Sequence, residues 1–85
     1  MATYWKSVPN LVESDLGSIR VRGRAGLTVS YGGRDHEVSS EMLTPPRSIV
    51  LHPRDADLRG LADADAIVAF IVEGLTWDGF TVELG

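Results

Sequence analysis

Cysteine is absent from this 85-residue chain. That excludes a disulfide framework and cysteine-ligated zinc, and it fits a reducing compartment. Histidine is scarce, with only His36 and His52. Long hydrophobic runs are missing too. The longest, residues 66–72, falls far short of the roughly 20 apolar residues that span a membrane. The opening MATYWKSVPN lacks the basic-then-apolar layout of a secretory signal. The expected location is the cytoplasm, with no membrane association. Bases nearly vanish after residue 54, where Arg59 stands alone against Asp55, Asp57, Asp63, Asp65, Glu73, Asp78 and Glu83.

What is present is ordinary globular material, 44% hydrophobic and 24% charged, which argues against disorder. A chain of this length forms one domain, burying roughly 60–65% of its unfolded surface in a single modest core. The net charge of −4 is unevenly placed. Residues 1–54 carry seven bases against five acids, and residues 55–85 carry one base against seven acids. A domain polarised in this way can steer charged partners.

Residues 63–84 organise the rest. Asp63 and Asp65 stand where an N-cap and a first-turn acid belong, since the helix dipole favours negative charge there. Ala64, Ile67, Val68, Ile71 and Leu75 then recur at helical spacing. Asp78-Gly79 ends the helix, because glycine readily takes the left-handed conformation of a C-terminal cap. Phe80, Val82 and Leu84 alternate with Thr81 and Glu83, which is strand periodicity.

Upstream, residues 1–17 read as an irregular arm or a short edge strand packed by Tyr4 or Trp5, because Pro9 interrupts any regular element. Residues 18–85 read as the domain proper. Ser18–Arg22 and Leu27–Tyr31 alternate as strands, separated by a turn marked by Gly23 and Gly26. Gly32-Gly33 is a two-residue hairpin signal that sets Tyr31 opposite Arg34, Val29 opposite His36 and Leu27 opposite Val38. On the other face Ser30 meets Asp35 and Thr28 meets Glu37. Met42 and Leu43 are core candidates, Pro45-Pro46 forces an extended break, and Ser48–His52 is a further strand. Residues 53–62 form a polar connection. The predicted order is β-β-β-β-α-β: a single small α+β domain with a mostly antiparallel sheet and one C-terminal helix packed on one face.

The helix has more apolar surface than one sheet needs. From Phe70 through Ile67, Ile71, Leu75 and Val68 to Val72 the arc is roughly 200°, where a stripe of somewhat more than about 100° suffices. The remaining strip holds Asp65, Ala69, Glu73 and Thr76, with Ala66 and Trp77 beside it and no Lys or Arg. Either the N-terminal arm covers the surplus along the Phe70–Trp77 edge, or that edge meets another protein or a second copy, making a homodimer.

Catalytic constellations are not evident. In Asp35-His36-Glu37 the imidazole points opposite to both carboxylates on a strand, so the three cannot converge locally. His36 reads instead as a packed or rim residue beside Val29, and His52 has no nucleophile near it in sequence. Residues 55–66 match a calcium loop at positions 1, 3, 6 and 9, but Arg59 stands where a ligand oxygen is required and Ala66 where a bidentate Glu is required. No metal, no cofactor and no enzymatic activity are expected. A nucleic-acid reading rests on the Arg20, Arg22 and Arg24 strand face with Arg34 nearby. It lacks an aromatic platform and sits in a domain of pI about 4.9, so nucleic acid is the weaker alternative.

Several of these segments together resemble the Immunity protein 74 family, small bacterial proteins associated with polymorphic toxin systems. They are Ile19-Arg-Val21, Tyr31-Gly-Gly33-Arg34, Val38 with Glu41 and Leu43, Ile49-Val-Leu51, Asp63-Ala-Asp65-Ala-Ile67 through Ile71, Leu75 and Gly79, and Thr81-Val-Glu83. The resemblance covers residues 19–84. It implies a non-enzymatic binder that neutralises a cognate toxin by stoichiometric association, and it carries over no functional residue. The residues themselves point to the acidic second half as the partner surface: Asp55, Asp57, Asp65 and Glu73, with Trp77 as an apolar anchor. Such a surface suits a partner with a basic cleft, as a toxin acting on nucleic acid presents.

Overall fold

The Gly32-Gly33 turn sets the register of the sheet around it. The computed structural model describes residues 3–22, 25–43, 48–52 and 63–85, with Ser7 and Ala25 by backbone alone. In it Gly32 and Gly33 have φ of 60° and 81°, joining strands β4 (Ala25–Tyr31) and β5 (Arg34–Leu43). The pairs are Tyr31–Arg34, Ser30–Asp35, Val29–His36, Thr28–Glu37 and Leu27–Val38, the register expected from the turn. Leu27, Val29, His36 and Val38 are buried on one face, while Asp35 and Glu37 are exposed on the other.

Among the described residues seven strands make one sheet in sequential order, curled into a half-barrel. Before the hairpin lie β1 (Tyr4–Val8), β2 (Leu11–Ser14) and β3 (Gly17–Val21), and after it β6 (Ser48–His52). Each of β1 to β5 pairs antiparallel with the next strand in sequence. The ten-residue β5 is shared lengthwise, its first part chiefly against β4 and Ser39–Leu43 against β6. Helix α1 (Ala64–Trp77) then crosses over, and β7 (Thr81–Leu84) joins β6 in parallel. A parallel neighbour needs such a crossover. The α+β class, the single C-terminal helix and the mostly antiparallel sheet are as predicted.

Of the two readings of residues 1–17, the irregular arm is corrected and the short edge strand packed by Tyr4 is found as β1, with β2 as a second strand that was not expected. Residues 4–8 and 11–14 are two strands of the same sheet. Pro9 does not interrupt an element; it occupies the turn between them. Val8 pairs with Leu11, and Asn10 takes φ of 64°, a left-handed conformation that asparagine tolerates. Proline at the first and asparagine at the second central position is the chemistry of a tight turn. Asp15 secures the next turn. Its carboxylate accepts the Thr3 backbone N–H at 3.1 Å and the Ser14 hydroxyl at 3.0 Å, and these bonds hold its pKa below the usual carboxylate range.

The core lies between the concave face and α1. Val12, Ile19, Leu27, Val29, Ile49 and Leu51 from the sheet meet Ile67, Phe70, Ile71 and Leu75 from the helix. His36 is buried among them, the packed position expected of it. At Gly74 helix and sheet come close: a Cβ there would stand 2.6 Å from Ile19 Cδ1 and 3.2 Å from the Tyr4 ring.

The helix ends as its sequence announces. Phe80 N–H donates to the Leu75 carbonyl at 2.9 Å and Gly79 N–H to that of Thr76 at 3.0 Å, with Gly79 at φ of 95°. These two bonds are the Schellman closure. Its beginning differs from expectation. The Asp63 carbonyl accepts the first helical bond from Ile67, but its side chain caps nothing. With φ −104° and ψ 19° the residue is outside the extended region from which a side chain reaches the first-turn N–H groups. Leu84 also departs from the simple alternation, being 61% exposed at the end of the sheet.

Candidate protein-binding face

The outward side of α1 is the strip the wheel predicts. Asp65, Ala66, Ala69, Glu73, Thr76 and Trp77 are all exposed, and Ile67, Phe70, Ile71, Gly74 and Leu75 are all buried. Asp65 and Glu73 lie eight residues apart, which sets their backbones about 12 Å apart along the axis. Trp77 follows Glu73 by four residues, one turn on, on the same side. Asp55 and Asp57 lie outside the described residues, as do most of the calcium-like stretch, Arg24 and Pro45-Pro46. Three of the five expected partner residues therefore share one helix face.

Strand β1 accounts for the surplus apolar arc. Tyr4 stacks on Phe70 with ring centroids 6.1 Å apart and lies 6.0 Å from Trp77, while Tyr31 also meets Phe70, at 5.4 Å. Phe70 is thereby only 3% exposed and is not available to a partner. Trp77, braced from one side by Tyr4, keeps 49% of its surface open. Of the two aromatics in the arm, Tyr4 packs inward, whereas Trp5 pairs with Glu13 on the outer face. Lys6 reaches the C-terminal end of the helix and binds Asp78 at 3.0 Å. A cation there also suits the helix dipole, which α1 leaves without a basic residue in its own last turn. Tyr4 and Lys6 support the site without having been assigned to it. Their role depends on the β1–β2 turn, and no spacing within residues 1–17 announces it.

The Tyr4 hydroxyl is shielded from solvent, with the Glu73 carboxylate nearby but no partner in full hydrogen-bond geometry among the described residues. Burial first, and then the Glu73 and Asp15 carboxylates, push its pKa up from 10.0 to about 12. The folded state thus holds a proton that the unfolded chain has already lost. The resulting stabilisation is complete below pH 10.0 and is lost as pH rises to about 12. Tyr4→Phe removes both effects. We expect it to match or exceed the parent by up to about 1 kcal/mol at neutral pH, because an unsatisfied hydroxyl is gone. The difference between parent and variant should grow from about pH 10 upward. Urea midpoints at neutral and alkaline pH check this, and curves that stay parallel would remove Tyr4 as the titrating group.

The arginine face is less basic than its sequence suggests. Arg22 donates to the Glu37 carboxylate at 3.1 Å, and Thr28 Oγ1 donates to the same group at 3.3 Å. By register Arg20 shares its face with Glu13, Asp35 and Glu37. Among the described residues that face carries no basic stripe. No cluster of three or more His, Asp or Glu able to hold a metal occurs among them, nor does a helix long and apolar enough to cross a membrane. No family model, curated protein or solved structure matches this chain.

Proposed function

We propose that this chain is a non-enzymatic protein-binding module that neutralises a cognate bacterial toxin by stoichiometric binding in the cytoplasm. The observation that carries the reading is the outward face of α1. It presents Asp65 and Glu73, no base, and a half-open Trp77 whose ring Tyr4 already holds in place. An aromatic anchor fixed before association loses little entropy on binding, and acids around it select a basic partner. The resemblance to the Immunity protein 74 family supports the same reading. The charge pairing on the opposite face disfavours the nucleic-acid alternative built on Arg20, Arg22 and Arg24.

The test is a quadruple variant, Asp55→Asn, Asp57→Asn, Asp65→Asn and Glu73→Gln, measured against the basic protein that copurifies. Asp65 and Glu73 are exposed, and exposed acids contribute little to folding, so the melting temperature should stay near the parent's. The association rate should fall by about tenfold or more at low salt, and the parent's decline with added salt should flatten. Association at the parental rate with parental salt dependence would overturn the acidic-face reading.

A further inference from the structure

Tyr4, Glu73 and Trp77 meet around one glycine. The Tyr4 ring lies against residue 74, where a Cβ would come within 3.2 Å of it, so a glycine lets the ring settle onto the helix. The hydroxyl end of the ring lies beside the Glu73 carboxylate. Its flank lies 6.0 Å from the Trp77 indole, centroid to centroid. Trp77 follows Glu73 by one turn, and a long helical side chain leans back over the turn before its own Cα. The indole therefore stands over the turn that carries Glu73. Tyr4 braces it on one side, and 49% of its surface stays open.

The charges around the indole do not close on themselves. Asp78, next in the chain, is paired with Lys6, whose Nζ stands 3.1 and 3.0 Å from the two carboxylate oxygens. Glu73 has no cation at ion-pair distance among the described residues, and its polar neighbour is a neutral phenol. The helix supplies none, since residues 64–77 contain no Lys or Arg. A carboxylate and an open indole face side by side attract a cation by two separate means, charge pairing and the ring quadrupole. The two together also select its shape. A guanidinium is planar, so it can lie flat on the indole while its N–H edge donates to the carboxylate. It is also more weakly hydrated than an ammonium, which is a point charge that holds its water.

On the protein-binding reading of α1, on which this depends, we infer that Glu73 and the open face of Trp77 form a binding site for one arginine side chain of the partner. The guanidinium stacks on the indole and donates to the Glu73 carboxylate. Tyr4 is a positioning residue that fixes the indole. Asp65, about 12 Å away along the helix axis, lies outside the site and adds only long-range attraction.

The probe is a capped Gly-Arg-Gly tripeptide, compared with its lysine and citrulline counterparts at constant ionic strength. Citrulline keeps the shape of arginine without its charge. The chain has two tryptophans, so Trp5→Phe leaves Trp77 as the single reporter, read by the NMR shift of its indole N–H. We expect saturable binding of the arginine peptide with a dissociation constant on the order of 10 mM. Lysine should bind about threefold more weakly and citrulline about tenfold. Glu73→Gln, at an exposed position, should weaken the arginine peptide about three- to fivefold, and Asp65→Asn less than about 1.5-fold. Fluorinated tryptophan at position 77 draws charge from the ring face at nearly constant shape. It should weaken binding further with each fluorine, which a purely apolar anchor would not do. No saturable shift, equal binding of the arginine peptide and either counterpart, or indifference to fluorination would overturn the site. So would a loss in Asp65→Asn as large as that in Glu73→Gln. The acidic face as a whole is read by its association rate with a protein partner, so failure of the peptide test with that rate effect intact removes the arginine site alone.

Discussion

Gly17→Ala is expected to cost about 3–4 kcal/mol or more of folding stability, a large share of the total for a domain of this size. A Cβ at residue 17 would overlap the Ser30 carbonyl oxygen and stand 2.8 Å from the carbonyl carbon and 3.2 Å from Tyr31 Cα. All three atoms are backbone, so no rotamer change relieves the clash. Relief requires β3 and β4 to separate at the Gly17–Tyr31 pair. That separation would also shift Tyr31, whose ring closes over Phe70 at 5.4 Å. The same added methyl at Gly74 would meet the mobile end of Ile19 and is a milder insult. Urea denaturation of Gly17→Ala is the measurement. A midpoint equal to the parent's would show that β3 and β4 do not approach this closely.

Ile71→Ala should cost about 2–5 kcal/mol as a core truncation. Ile71 is wholly buried on the inner side of α1, which packs on β2, β3 and β7. Ala69→Lys, two residues away, should change stability by less than about 0.5 kcal/mol, because residue 69 faces outward. Thermal melts of the pair test the orientation of the whole helix. Loss of the fold in Ala69→Lys would mean a helix buried on every side, and equal midpoints in both variants would mean one that does not pack at all.

Local chemistry made some of this fold readable and left other parts hidden. The β4–β5 register followed from two glycines, because a two-residue turn leaves only one way to count back along the strands. The end of α1 followed from Asp78-Gly79 for a similar reason. The residues leave β1 as one of two readings and hide β2, because Pro9 carries two meanings, a break within an element or a corner between two, and only the Val8–Leu11 pairing chooses between them. The missing Asp63 cap reflects backbone angles that residue type does not determine. In the candidate site, the exposed positions of α1 were legible from helical spacing alone. That the N-terminal segment covers the Phe70–Trp77 edge is one of two readings that spacing leaves open, and the Tyr4 contact with Trp77, from more than seventy residues earlier in the chain, chooses it.

The parallel β6–β7 pair has a consequence in time. Strands β1 to β6 each pair with a neighbour made just before, so most of the sheet can zip as the chain is synthesised. Strand β7 cannot join until residues 53–80 have been made and α1 has crossed. At about 5–20 residues per second that delay is roughly 1.5–6 s. For those seconds Ile49, Val50 and Leu51 form a bare, uncharged strand edge on a nascent chain. Newly made copies on one messenger are then at their most adhesive toward each other, before the helix and the last strand close the far side of the sheet.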